Sequence, residues 1–381
     1  MRIGILTYHF SENFGALMQA YGLRQWLVEQ GHDADFINYH PRYVEEGGSF
    51  VNIYSPKQFK ANLKIAFLIY SRIRKSLVGN KKQLKLFAEF HRDVLGVTGS
   101  RLETLKELEN YLLNPIHKFD AIICGSDQIW NPSDQRGLDP AYFAAISDSD
   151  IGKRIMYAPS FGRASLDPIY NETVATYVNS IDGLSVREES GVKILKDITG
   201  RDADCVPDPA ILLGDFSSLI KVAEPVRSDH VFCYALRSGG GITQAANIVA
   251  NELKTEVVSP YNVHRRWKEI GSTVYPSPAG WVSLINSSSF VVTNSFHGTV
   301  LSILLQKPFI VVGLPGAKGK LNERARDLLE KLGLADRLIA AEDYDQAKVL
   351  VKKQINWESV SVKLADMQKV GRNYLKNQLD F

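Results

Sequence analysis

The chain has 381 residues, 45% of them hydrophobic, and a formal net charge of +3. At about 150 residues per domain that length suits two or three domains, and the hydrophobic share is enough for packed cores. A net charge this small gives no argument for nucleic acid binding, and none is expected. Cys124, Cys205 and Cys233 are three, far apart and without a CxxC pair, so neither a zinc knuckle nor a disulfide framework is expected, only buried free thiols. The chain opens on the strand-like run Met1 to Leu6, and no apolar run reaches about 18 residues. A cytoplasmic protein is therefore expected, at most touching the inner face of the cell membrane.

Ile3–Leu6 reads as a buried strand, followed by a polar loop from Thr7. Asn13-Phe14-Gly15 opens a helix with Leu17, Ala20, Leu23 and Leu27 at helical spacing, and Gly31 stops it. Asp35–Tyr39 reads as the next strand, completing the first turn of a Rossmann-like unit. Residues 57–95 read as helical. Asp120–Cys124 is a buried strand ending at Gly125-Ser126-Asp127, and further strands are expected at Arg154–Ala158, Gly183–Val186 and Asp204–Val206. A hinge is expected from Asp208-Pro209 through Gly214 to Pro225. The pattern then restarts, with strands at Val231–Ala235, Glu256–Val258, Ser289–Thr293 and Pro308–Val312 and helices at 242–253 and 298–306. The expectation is an α/β protein of two Rossmann-like domains facing a cleft, residues 1–213 and 214–381, the last helix packing back on the first domain. Ligands of open α/β sheets bind beyond the carboxyl ends of the strands, so chemistry is sought in the loops that follow them.

The most informative loop is Asn294-Ser295-Phe296-His297-Gly298, between an apolar strand and an apolar helix. Helix-start amides and the macrodipole favour an anion there, and His297 adds a titratable group. The plainer alternative is a capping turn with a structural histidine. Arg187, after the strand Leu184–Val186, suits a carboxylate or phosphate, or pairs with Glu188 or Glu189 on the surface. Lys318, Lys320 and Arg324 flank another helix start beside Asn322. In the first loop, Tyr8, His9, Asn13 and Gly15, with Gln19 one turn on, suit a hydroxylated ligand such as a sugar. Asp127 is the carboxylate candidate on the same side, unless it caps a helix. The loop at Arg237 with three glycines lacks GxGxxG spacing and reads as flexible. There is no HExxH, GxSxG or Walker A pattern, Asp148-Ser149-Asp150 reads as a surface turn, and no metal is expected.

Taken in order, several segments resemble the polysaccharide pyruvyl transferase family: Asn13-Phe14-Gly15-Ala16 with Gln19-Ala20-Tyr21, Gly125 to Asn131, Tyr157 to Gly162, Ser185 to Glu188, Asp208-Pro209, Asn294 to Gly298, and Asn322 with Arg324. The resemblance implies a glycosyltransferase-B-like fold and phosphoenolpyruvate as donor rather than a sugar nucleotide. It implies a pyruvate ketal formed on two sugar hydroxyls of a polysaccharide precursor, an expected lipid-linked oligosaccharide, with no cofactor besides the co-substrate. Arg187 of the first domain and Ser295, Phe296, His297, Gly298, Lys318, Lys320, Asn322 and Arg324 of the second are then donor candidates, with His297, Arg187 and Asp127 as catalytic candidates. Tyr8, His9, Asn13, Gly15, Gln19 and Asp127 are acceptor candidates on the first. Relatives often carry arginine two residues before the histidine, where this chain has Ser295, so Lys318, Lys320 or Arg324 would have to supply the cation. A sugar-nucleotide glycosyltransferase and a non-catalytic binding relative are the competing readings.

Residues 57–85 carry many cations and no acid, with Phe59, Leu63, Phe67, Tyr70, Ile73 and Leu77 at roughly helical spacing. Such a helix either lies on an anionic membrane surface or packs on its domain with a solvated basic face.

Overall fold

A computed structural model describes the chain except for residues 53, 55–57, 134–135, 147–150, 225–227, 237–240, 262–269, 315–321 and 381. It divides into two compact units: residues 1–79, 91–212 and 369–381, and residues 80–90 and 213–368.

The first unit holds the strands β1 (Arg2–Leu6), β2 (Asp33–Phe36), β3 (Ala121–Cys124), β4 (Lys153–Met156), β5 (Ser185–Val186) and β6 (Asp204–Cys205). The first four form a parallel sheet in the order β2-β1-β3-β4, and β5 pairs with β6. β1 and β3 are almost entirely buried because helices cover both faces of such a sheet. The helix Phe14–Glu29 starts at Asn13, whose side chain accepts from the amides of Gly15 and Ala16, and all of its first ten residues are buried. The end of the last helix, Trp357–Leu379, belongs to this unit: the Tyr374 hydroxyl donates to the Met156 carbonyl at 2.9 Å, and Lys153 Nζ to that of Gln378 at 2.9 Å.

The second unit is built on β7 (His230–Tyr234), β8 (Glu256–Pro260), β9 (Ser272–Val274), β10 (Phe290–Thr293), β11 (Phe309–Val312) and β12 (Leu338–Ile339). All pairings are parallel, in the order β12-β11-β10-β7-β8-β9. Renumbered within the unit this is 3-2-1-4-5-6 read from the other edge, the order of a doubly wound sheet, with the reversal between β7 and β10.

Three expectations need correction. The helix expected over 57–95 is broken: Phe59–Val78 ends at Gly79, Asn80 caps a second helix at Lys81–Glu89, and Phe90–Val94 is a π-helical turn. The residues at the break are a glycine and an asparagine, which favour extended and capping backbone over helix. The expected hinge after Asp208 contains two short helices, Pro209–Leu213 and Ser217–Val222. β2 starts earlier than expected and ends at Phe36, because its register with β1 pairs Arg2 with Asp33 and Ile5 with Phe36.

Candidate functional site

In the second unit the turn after β10 lies at the sheet's reversal point. Asn294 is committed to it: its Oδ1 accepts from the Leu236 amide, in the loop after β7, at 2.7 Å. Thr293 Oγ1 donates to the Tyr234 carbonyl at 2.7 Å and accepts from the Ser295 amide at 3.0 Å. These bonds tie together the ends of the two central strands, β7 and β10. Ser295 then caps the helix Phe296–Leu304, its Oγ accepting from the Gly298 amide at 3.3 Å. Such a cap stabilises a helix by about 1 kcal/mol. Gly298 is required by space, since a Cβ there would lie 2.5 Å from Thr293 Oγ1.

His297 follows the cap by two residues and is 7% exposed, its ring edge-on to Phe296 at 5.3 Å. Arg324, on the helix Glu323–Leu332, lies over the other aromatic partner: its Cζ is 5.5 Å from the Phe296 centroid. Asn322 holds the approach to that helix, with Oδ1 accepting from the Leu314 amide at 3.1 Å and Nδ2 donating to the Leu314 carbonyl at 3.2 Å. Asn322 is therefore a fastener, and Arg324 is a cation that the described residues bring to the turn. Lys318 and Lys320 lie outside the described residues, as do Arg237 and Asp148-Ser149-Asp150.

The first unit has its own reversal point, between β1 and β3. Gln19 ties the loops after those strands together: its Oε1 accepts from the Ser126 amide at 3.0 Å, and its Nε2 donates to Thr7 Oγ1 at 3.0 Å and the Ala16 carbonyl at 2.8 Å. Gln19 is fully buried, so the ligand contact expected of it is replaced by a positioning role. Asn13 and Gly15 likewise serve the helix start. A cis peptide joins Gly125 to Ser126, and Asp127 follows at φ 70°, a left-handed conformation that aspartate tolerates better than most residues. Its Oδ1 accepts from the Gln128 amide at 2.9 Å, and its carbonyl from the Ser160 amide at 2.9 Å. Asp127 is half-buried rather than enclosed.

Arg187 makes the expected pairing with Glu188, but inside the protein rather than on its surface. Its Nη1 donates to Asp208 at 2.8 Å and its Nε to Glu188 at 3.1 Å, with the side chain 3% exposed. Burial opposes the guanidinium's charge, yet the carboxylates of Glu188, Asp208 and Asp127 outweigh it and hold the pKa above the ordinary arginine value. Its hydrogen bonds hold Glu188 and Asp208 in place.

His9 is also enclosed. Its ring nitrogens lie 3.1 Å from the Thr7 carbonyl and 3.3 Å from Asn38 Oδ1, and the ring stacks on Phe36 at 5.1 Å. Burial pulls its pKa down to about 4. Tyr8, half-buried, is edge-on to Tyr142 at 5.2 Å, and burial together with the carboxylates of Asp127, Asp139 and Glu45 raises its phenol pKa.

That neighbourhood contains residues the sequence reading passed over. Asp139, 2% exposed, accepts at one oxygen from the hydroxyls of Tyr39 and Tyr43, each at 2.9 Å, and Arg136 approaches the same oxygen at 3.6 Å. The buried hydroxyl of Tyr142 has no hydrogen-bond partner among the described residues. Positions 8, 39, 43, 139 and 142 share no local pattern. The only sequence signal was Asp139-Pro140, which opens a 3-10 turn.

The sequence matches the family described as polysaccharide pyruvyl transferase over residues 13–314, most of its length. The chain belongs to the polysaccharide pyruvyl transferase family. The match to this transferase family includes the turn at His297 and the segment at Asp127, whereas Tyr8, His9, Asn322 and Arg324 lie beyond its limits. No curated protein matches the chain in sequence. Among solved structures, Arabidopsis thaliana UGT89C1 complexed with UDP-L-rhamnose is similar at 11% identity and a TM-score of 0.52, with 99% of this chain and 97% of that one covered. A putative UDP-N-acetylglucosamine 2-epimerase from Listeria monocytogenes is similar at 11% identity and a TM-score of 0.49, covering 98% and 94%. At such identity the likeness to the Arabidopsis structure concerns the fold alone, the glycosyltransferase-B type with two Rossmann-like domains.

Proposed function

We propose that this member of the pyruvyl transferase family uses phosphoenolpyruvate to form a pyruvate ketal on two hydroxyls of a sugar in a polysaccharide precursor. The observation that carries the reading is the turn after β10: His297 near the start of a buried helix, with Arg324 brought to Phe296 beside it. A helix N-terminus and a guanidinium together suit a phosphate or carboxylate. Arg324 takes the place of the arginine absent at Ser295.

The chemistry begins with a proton delivered to the methylene carbon of phosphoenolpyruvate, which becomes the methyl group and leaves an oxocarbenium-like centre at C2. A sugar hydroxyl attacks C2 and gives up its proton, forming one C–O bond. The phosphate C–O bond then breaks, and the second hydroxyl closes the ketal as it loses its proton. Of the two hydroxyl protons, one balances the methyl group and the other leaves with inorganic phosphate. His297 is assigned the proton transfer to the departing phosphate, and the helix start with Arg324 the stabilisation of its charge. Asp127 is assigned as acceptor of a sugar hydroxyl proton, with Arg187 holding its carboxylate environment in place. Tyr8, which is half-buried, is assigned an aromatic contact to a sugar ring.

Mixing the protein with phosphoenolpyruvate and candidate sugar acceptors tests the reading. Acceptor-dependent phosphate release supports it. Thermal protection by a sugar nucleotide, with none by phosphoenolpyruvate, would sink it in favour of glycosyl transfer.

A further inference from the structure

The helix Phe59–Val78 packs into the first unit through Ala61, Ile65 and Leu68, all buried. Asn62 adds two hydrogen bonds to the backbone of Val51, at 3.0 and 3.1 Å. Arg72 pairs with Glu46, and Lys75 with Glu12 in the loop after β1. One side of the helix is thus fixed to the unit. The other side is unusual for a protein surface. Phe59, Leu63, Phe67, Tyr70, Ile73 and Leu77 are exposed by 44–75%. Their spacing of four, four, three, three and four residues places them on one stripe. The residues fixing the helix sit on the opposite face, so the stripe is not the packing surface that a basic solvated helix would hide.

A continuous apolar stripe on a 20-residue helix about 30 Å long exceeds the scattered apolar residues of an ordinary surface. Its charge setting narrows what can cover it. Lys60 and Lys64 are exposed beside the stripe, Arg74 lies within it, and residues 57–85 contain no acidic side chain. A second copy of the helix would bring these cations against one another. A bilayer carrying anionic headgroups would pair with them while its acyl boundary received the apolar side chains. No helix of the described residues is long and apolar enough to cross a membrane, which leaves a helix lying in the interface plane.

We infer that the exposed face of Phe59–Val78 is a docking surface for an anionic lipid bilayer. The Lys75–Glu12 pair joins this helix to the loop assigned to the sugar acceptor, so docking would hold that loop at a membrane-borne substrate. The docking surface itself does not depend on which donor the enzyme uses.

Vesicle co-sedimentation of the full chain decides it. Vesicles of equal parts phosphatidylcholine and phosphatidylglycerol should retain the protein, and vesicles of phosphatidylcholine alone should not. Replacing Phe59, Tyr70 and Leu77 together by serine should reduce binding by at least about tenfold, since each loses apolar burial. Lys60→Glu with Lys64→Glu should each cost about fivefold, and raised salt should weaken wild-type binding. All five positions are exposed, so thermal melting should stay within a few degrees of wild type, separating lost docking from lost folding. Binding that ignores anionic lipid content would overturn the inference. So would a wild-type dimer in light scattering that the triple serine variant converts to monomer, because the stripe would then serve self-association.

Discussion

The guanidinium of Arg324 lies 5.5 Å from the centre of the Phe296 ring, one residue before His297. A cation from one helix is thereby held at the start of another, beside the turn capped by Ser295. Arg324→Gln should raise the dissociation constant for phosphoenolpyruvate by about tenfold or more, as expected for a lost charge-assisted contact. Isothermal titration measures it directly. Unchanged affinity would return the role to Lys318 or Lys320.

His297→Ala should lower turnover by about 10²–10⁴, the usual range for a lost general acid. The Ser295 cap is retained in the variant, so the melting temperature should fall far less than activity does. Near-native phosphate release by a folded His297→Ala protein would remove the histidine from the chemistry.

Gln19 touches no ligand in this reading, yet its replacement should be costly. Gln19→Ala leaves the Ser126 amide and Thr7 hydroxyl without their amide partner in a buried site, a loss of about 2–3 kcal/mol. Urea denaturation gives the stability change. Turnover should fall as well, because the same bonds hold the segment carrying Asp127. Wild-type stability would show that the two loops do not rely on this side chain.

Burial lowers the pKa of His9 and His91 to about 4 and that of His40 to about 3. Between pH 6.5 and about 4 the unfolded chain binds protons at these rings that the folded chain does not. Stability is therefore full above the unfolded value and falls as pH drops through this window, with a proton-uptake slope approaching three. His40→Phe keeps an aromatic ring against Phe10, where the present rings stack at 3.9 Å, and should reduce that slope by about one proton. Urea midpoints measured across the window check it, and an unchanged slope would contradict the assignment.

Much of the architecture could be read from local pattern. Buried strands such as Ile3–Leu6 and Phe290–Thr293 are short apolar runs with polar turns after them, and hydrophobic spacing marks the helix after Asn13 without any tertiary information. The turn at His297 was legible for the same reason: polar residues between two apolar elements must serve either the backbone or a ligand. The break at Gly79-Asn80 was less visible, because the apolar spacing continues across it while only the cap interrupts the hydrogen bonds.

What each polar side chain does was decided elsewhere. Arg187 and Gln19 carry the residue types of ligand contacts, but residues far away in sequence, Asp208 and Ser126, claim their hydrogen-bonding groups. Tyr39, Tyr43 and Asp139 become one cluster only because the sheet sets β2 and β3 on either side of β1, so that the segments following them meet. By itself the sequence determined the elements and the Rossmann-like class, since periodic burial is a local property. The tertiary structure alone decided which charges are spent inside the protein and which remain at a site, because partnership and burial depend on distance in space.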